Sequence, residues 1–118
     1  MRRHPALAHR RLQHRGLRIV VDHLGKPPIG SRAGAWADHA AWARAIHRAA
    51  EAPLVHAKVS GLYADAAPDA WTVADLRRVL DDAVAAFGPE RLMYGGDWPI
   101  SVTAGGYERV FAGLRTAI

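Results

Sequence analysis

Arg91-Leu92-Met93-Tyr94-Gly95-Gly96-Asp97-Trp98-Pro99 is the stretch from which the fold can be read. An apolar run stops at two glycines. A single carboxylate follows, then an aromatic residue and a proline. A buried parallel strand that delivers an acid to its C-terminal end and then turns away has this grammar. Leu17-Arg18-Ile19-Val20-Val21 runs into Asp22-His23-Leu24-Gly25-Lys26-Pro27-Pro28 in the same way. Val55-His56-Ala57-Lys58-Val59-Ser60-Gly61-Leu62 is a third case. His23 and Ser60 are 37 positions apart, and Ser60 and Asp97 are again 37 apart. A constant spacing of strand, polar strand end, loop and helix predicts repeated βα units whose polar ends meet at one face.

The segments between these strands fit that reading. Residues 5–15 carry a weak amphipathic pattern through Leu7 and Leu12, closed by Gly16. Residues 24–35 are too rich in glycine and proline for a helix or a central strand. Residues 36–52 read as an alanine-rich helix with Trp36, Ala40, Ala43 and Ile46 or His47 on its inner side, stopped by Pro53. Residues 72–87 form the clearest helix. Val73, Leu76, Val79, Leu80, Ala83, Val84 and Phe87 make one stripe, and Thr72 and Asp75 occupy capping-box positions. Gly88-Pro89 ends it. A last helix is expected over 107–118, with Val110, Phe111 and Leu114 inward. Strands are expected at 17–21, 54–59 and 91–94. The order α-βα-βα-βα belongs to an α/β fold of parallel strands joined by helical crossovers.

Three such strands leave two unpaired sheet edges. A closed (β/α)8 TIM barrel needs about 250 residues, and this chain has 118. The expected architecture is the C-terminal part, about three βα units, of an incomplete barrel, with residues 1–118 as one partial domain. A small doubly wound domain is the plainer alternative.

Composition narrows the function classes. Half of the residues are hydrophobic, as in a globular chain. Cysteine is absent, which excludes disulfides and cysteine-ligated zinc and fits a reducing compartment. No apolar run approaches the ~20 residues of a membrane span, and no signal core follows the basic start. A cytoplasmic protein without a membrane partner is expected. The formal net charge is +5 and the isoelectric point about 10.4. Much of the excess lies in Arg2, Arg3, Arg10, Arg11, Arg15 and Arg18. Nucleic-acid surfaces interleave such arginines with aromatic residues, and the first 35 residues hold none. A solvated helix face is the favoured reading, and nucleic acid is disfavoured as a partner.

In parallel α/β folds, ligands gather at the carboxyl ends of the strands. Those ends carry Asp22-His23, Ser60 and Asp97. His23 can polarise a carbonyl, move a proton or bind a metal. Asp97 can activate water or ligate a metal, and equally can cap its own turn. Asp22 is expected to brace the neighbouring loop or strand. Lys58 shares a strand face with Ser60, and its ammonium requires a carboxylate or a ligand there. Ser60 lacks the flanking pattern of a nucleophile elbow. His4, His9 and His14 recur every five residues and do not share a helix face. His39 and His47 are expected to be surface or packing residues.

Together, Asp22-His23-Leu24-Gly25-Lys26-Pro27, Lys58-Val59-Ser60-Gly61-Leu62 and Phe87-Gly88-Pro89-Glu90-Arg91-Leu92-Met93-Tyr94-Gly95-Gly96-Asp97-Trp98-Pro99 resemble the C-terminal part of the amidohydrolase-2 family. The nearest branch looks like its sugar-lactone and dicarboxylate-lactone hydrolases. Gly96 stands where the family usually has Ser. The resemblance implies a distorted (β/α)8 barrel whose sixth to eighth strands are present here. It implies hydrolysis of a cyclic ester or related bond in a small, lactone-like substrate. Asp97 would be the general base or metal ligand, and His23 would contact substrate or metal. Lys58, Ser60 and Trp98 are the candidate substrate contacts. The metal question stays open between one divalent ion such as zinc, with His23 and Asp97 as candidate ligands, and none. Many relatives complete a metal site with His-x-His on the first strand, and this chain has no His-x-His. The expected partners are a missing N-terminal half or further copies of the chain, and the chain alone is expected to be weak or inactive. A non-catalytic binding or scaffold domain is the alternative.

Overall fold

The computed structural model describes residues 16–29, 36–62, 71–97 and 105–118. Three short strands, β1 (Ile19–Val21), β2 (Val55–Val59) and β3 (Leu92–Tyr94), form one sheet in the order β1-β2-β3. Both pairings are parallel. Ile19 lies beside Val55, and Ala57 beside Leu92. The hydrogen bond from Gly95 N–H to the Val59 carbonyl, 3.0 Å, carries the β2–β3 contact one residue past β3. Parallel strands need long crossovers. Helix α1 (His39–Ala50) provides the first and α2 (Val73–Phe87) the second, while α3 (Tyr107–Ala117) follows β3.

Each helix is bounded by the chemistry of its ends. Asp38, extended at φ −161°, accepts the Ala41 N–H at 2.8 Å and starts α1. The Thr72 hydroxyl accepts from Asp75 N–H at 3.2 Å while the Asp75 carboxylate accepts from Thr72 N–H at 2.9 Å, a complete capping box on α2. Gly88, at φ +72°, closes α2 by bonding back to Val84. Several boundaries fall inside the expected ones. The first strand spans Ile19–Val21, because Leu17 and Arg18 lie exposed before the ladder begins. Arg91 belongs to a 3-10 turn, Pro89–Arg91, and not to β3. The inner side of α1 consists of Trp42, Ile46 and Ala50. Trp36 precedes the helix, so its side chain does not continue that stripe. The helix expected over 5–15, with His4, His9 and His14 and the arginines before position 16, lies outside the described residues, as does Trp98.

The core fills one side of the sheet. Val55, Ala57 and Val59 are buried, whereas His56 and Lys58 between them are not, as period-2 alternation requires. Leu76, Val79, Leu80, Ala83 and Phe87 from α2 and Val110, Leu114 and Ala117 from α3 join Trp42 and Ile46 in this layer. On α2 the stripe is narrower than expected, since Val84 is exposed, and on α3 Phe111 is exposed while Gly113 is buried. A Cβ on Gly113 would meet the Trp71 ring at 2.9 Å, so only glycine lets α3 lie this close. At the amino ends of the strands, Arg91 donates to the carbonyls of Phe87, Ala50, Ala52 and Val55 at 2.9–3.2 Å. One guanidinium therefore ties the end of α1, the start of β2 and the end of α2 together.

The other side of the sheet is different. Register places Val20 beside His56 and Met93 beside Lys58. Val20 is 48 % exposed and Met93 41 %. No helix among the described residues is long and apolar enough to cross a membrane.

Candidate functional site

The three polar strand ends converge at the carboxyl edge of the sheet. After β1 the chain enters a tight turn, Asp22–Gly25, in which His23 (φ 52°), Leu24 (φ 49°) and Lys26 (φ 54°) take left-handed backbone. Each such non-glycine residue costs roughly 1–3 kcal/mol and persists only where its surroundings enforce it. Those surroundings are two tryptophans. Trp42, fully buried, donates its indole N–H to the Leu24 carbonyl at 2.7 Å. Trp36 donates to the Gly25 carbonyl at 2.8 Å. Leu24 itself is fully buried as the plug of the turn. Asp97, beyond β3, is also left-handed, at φ 53°.

This backbone brings residues 23, 60 and 97 together. His23 Nδ1 lies 2.8 Å from Ser60 Oγ. On the other side of the ring, Nε2 lies 3.7 Å from Asp97 Oδ1 and 3.6 Å from Asp22 Oδ2. The His23 and Asp97 side chains are 22 % and 19 % exposed, so both reach the edge of solvent. A separation of 3.7 Å is too long for a direct hydrogen bond. It does allow one oxygen atom to sit about 2.8 Å from both groups. Between them lies Gly61, at φ +55°. A Cβ there would fall 2.6 Å from His23 Nδ1 and 2.7 Å from Asp97 Oδ2. Gly61 is a residue of the site to which the sequence reading gave no role. Its position directly after Ser60 at a strand end is the signal that marks it.

Lys58 has the partner its position demands. Its ammonium lies 3.1 Å from Asp22 Oδ1, so the expected bracing role of Asp22 is carried out across β1 and β2. The hydrogen bond from Lys58 holds the Asp22 carboxyl below its usual range, against the opposing effect of desolvation, with further help from the charges of His23 and Lys58. Gly95 and Gly96 give the strand end its shape. A Cβ on Gly95 would approach Ser60 Cβ at 3.0 Å, and one on Gly96 would strike the Tyr107 ring at 2.7 Å. Glycine at 96 thus matches the ring packed beside it. His39 and His47 lie away from the site, in line with the surface or packing role expected of them. His39 bonds Asp82 at 2.6 Å, with His47 at 4.0 Å from the same carboxylate, in a link between α1 and α2.

Catalytic zinc uses three protein ligands. Among the described residues no group of three or more His, Cys, Asp or Glu side chains is placed to hold a metal ion. His23 and Asp97 are at most part of a donor set, so these residues alone do not fit a zinc centre.

A parallel βα array brings His23 and Asp97 together across the end of its central strand, and the chain belongs to the amidohydrolase family, whose sequence model matches residues 2–116. It is 41 % identical over 104 residues to an L-fucono-1,5-lactonase of Burkholderia ambifaria, covering 86 % of this chain and 33 % of the relative. It is 38 % identical over 99 residues to the L-fucono-1,5-lactonase of Burkholderia multivorans, covering 78 % of this chain and 32 % of that one. A crystal structure of an amidohydrolase from Burkholderia multivorans with bound zinc superposes at a TM-score of 0.78 and 34 % identity, over 95 % of this chain and 39 % of that one. The chain spans about a third of the length of the curated relatives it matches.

Proposed function

We propose that this chain contributes the acid–base end of a lactone-hydrolysing site, as the sixth to eighth βα units of a closed barrel. The observation that carries this reading is the convergence of His23 and Asp97 on one point beside Gly61. Asp97 takes the proton of a water molecule as its oxygen attacks the lactone carbonyl carbon. His23 Nε2–H faces the carbonyl oxygen and stabilises the negative charge that develops there. The ring C–O bond then breaks, and the ring oxygen leaves as a hydroxyl by taking the proton that Asp97 accepted. Lys58, held by Asp22, adds positive charge on the same face, and Ser60 and Trp98 complete this chain's candidate contacts with substrate. For a divalent ion shared with further units, His23 and Asp97 are the candidate donors.

Residues 1–118 form one partial domain in this reading, and the remaining units come from a preceding half or from another copy of the chain. Relatives that act on L-fucono-1,5-lactone point to a sugar 1,5-lactone as substrate. Hydrolysis needs all groups held in register, and losing that proximity costs several orders of magnitude in rate. The chain alone is accordingly weak or inert. The test is a chimera in which this chain replaces the matching third of the Burkholderia multivorans lactonase. Hydrolysis of sugar 1,5-lactones is expected, with Asp97→Asn lowering kcat by about 10²–10⁴-fold. An active chimera indifferent to Asp97→Asn would remove the assigned base.

A further inference from the structure

We propose that the Asp22–Lys58 ion pair determines specificity by reading the hydroxyl on the carbon next to the lactone carbonyl, an inference that rests on the reading in which that carbonyl faces His23. The pair is joined to the reacting point through one carboxylate. Asp22 Oδ1 lies 3.1 Å from the Lys58 ammonium, while Oδ2 of the same group lies 3.6 Å from His23 Nε2. A carbonyl oxygen held at Nε2 therefore has this anion and cation as close neighbours. Both side chains are open to solvent. Gly95, whose missing Cβ would stand 3.5 Å from Lys58 Cε, sends no side chain over them. An exposed ion pair contributes little to stability, so bracing is a minor part of what this pair can do.

The chemistry of the pair decides which side of the lactone it meets. In a sugar 1,5-lactone the carbonyl carbon is flanked by the ring oxygen on one side and by a carbon bearing a hydroxyl on the other. The ring oxygen has no hydrogen, and an ionised carboxylate only accepts hydrogen bonds, so those two repel. A hydroxyl both donates and accepts. It can donate to Asp22 and accept from the Lys58 ammonium, which has donors to spare. Carbonyl and hydroxyl oxygens on adjacent carbons stand about one hydrogen-bond length apart, which matches the short step from His23 Nε2 to Asp22 Oδ2. The substrate class is therefore the 2-hydroxy 1,5-lactones. Lactones without that hydroxyl leave the carboxylate without a donor, and sites built to bond a hydroxyl discriminate against analogues that lack it.

The test uses the chimera of this chain with the Burkholderia multivorans lactonase. It compares kcat/KM for a sugar 1,5-lactone with that for its 2-deoxy counterpart. The unchanged site should prefer the 2-hydroxy lactone by about 10–100-fold, the range of a hydrogen bond to a charged group. Asp22→Ala should bring the ratio close to unity. Lys58→Met should lower it part of the way, since Asp22 still accepts the hydroxyl proton. Asp22→Asn keeps the side-chain shape without the charge, and it should also lower the ratio should the alanine variant fail to fold. A pair that only braces the strands would lower both rates together and leave the ratio intact, which would overturn the proposal. A ratio near unity in the unchanged chimera would overturn it too, while leaving the lactonase reading in place. A chimera inert toward both lactones would remove that reading and this inference with it. An active chimera that tolerates Asp97→Asn but loses its preference in Asp22→Ala would reject only the assigned base.

Discussion

Gly61 and Gly88 both hold positive φ, at +55° and +72°, but only Gly61 has neighbours. Alanine would be strained at either position, and Gly88, at ψ 160°, holds backbone that essentially only glycine adopts, a cost of about 1–3 kcal/mol. At Gly88 nothing lies within 4 Å of the new methyl, whereas at Gly61 it would lie 2.6 Å from His23 and 2.7 Å from Asp97. Gly88→Ala is therefore expected to lower the melting temperature and leave the His23 resonances unchanged. Gly61→Ala should also lower it and, unlike Gly88→Ala, shift the His23 ring signals, because the pair is pushed apart. The Asp22–Lys58 pair has its own pH signature. The Asp22 pKa is lowered in the folded chain, so the ionised carboxylate stabilises the fold above the ordinary carboxylate range. That contribution is lost as pH falls through the lowered value. The Asp22 side chain is 61 % exposed, so solvent keeps the effect small. Melting temperatures of the unchanged chain and Asp22→Asn should differ near neutral pH and converge in acid, with the difference shrinking in high salt.

The turn after β1 is held from the side by α1. Trp42 on α1 is fully buried, and its indole N–H satisfies the Leu24 carbonyl inside the left-handed turn that carries His23. Trp42→Phe keeps most of the packing but leaves that carbonyl without its donor. A loss of about 1–3 kcal/mol is expected, measured as a fall in the denaturant midpoint, together with broadened His23 signals. Helix ends were legible residue by residue: Thr72 and Asp75 form the expected capping box, and Gly88-Pro89 ends α2 as expected. Such signals are local, so a short stretch contains them whole. Less legible was which side of α1 faces the sheet. Trp36 lies at helical spacing from Ala40 and Ala43, yet it precedes the first turn, and Trp42 takes the core position instead. Alanine-rich helices carry a weak stripe, so the docking partner chooses the face. Arg91 was equally opaque. Its four carbonyl partners come from segments up to 41 positions away, and no local pattern records them.

Across the whole molecule, the two sides of the sheet are unequal. One is packed by three helices, and the other presents Val20 and Met93 at 48 % and 41 % exposure. Tyr94, Tyr107 and Phe111 form an exposed aromatic group beside β3, with Tyr107 and Phe111 stacked at 6.0 Å. Apolar surface of this extent on a small domain favours association. The chain alone is expected to elute above its 12.8 kDa mass as concentration rises. Val20→Thr with Met93→Gln should shift it toward the monomer, measured by light scattering.

The chain's own residue pattern determined the parallel βα order, the three strand ends at a 37-residue spacing and the family. These follow from hydrophobic period, glycine and proline punctuation and short motifs, all of which act over a few residues. Only the tertiary structure decided that His23 Nδ1 meets Ser60 while Nε2 meets two carboxylates, that Lys58 pairs with Asp22, and that Gly61 is the spacer between His23 and Asp97. Those facts depend on the register of three strands and on left-handed turns enforced by distant tryptophans. A change of one residue in that register would send each side chain to the opposite face.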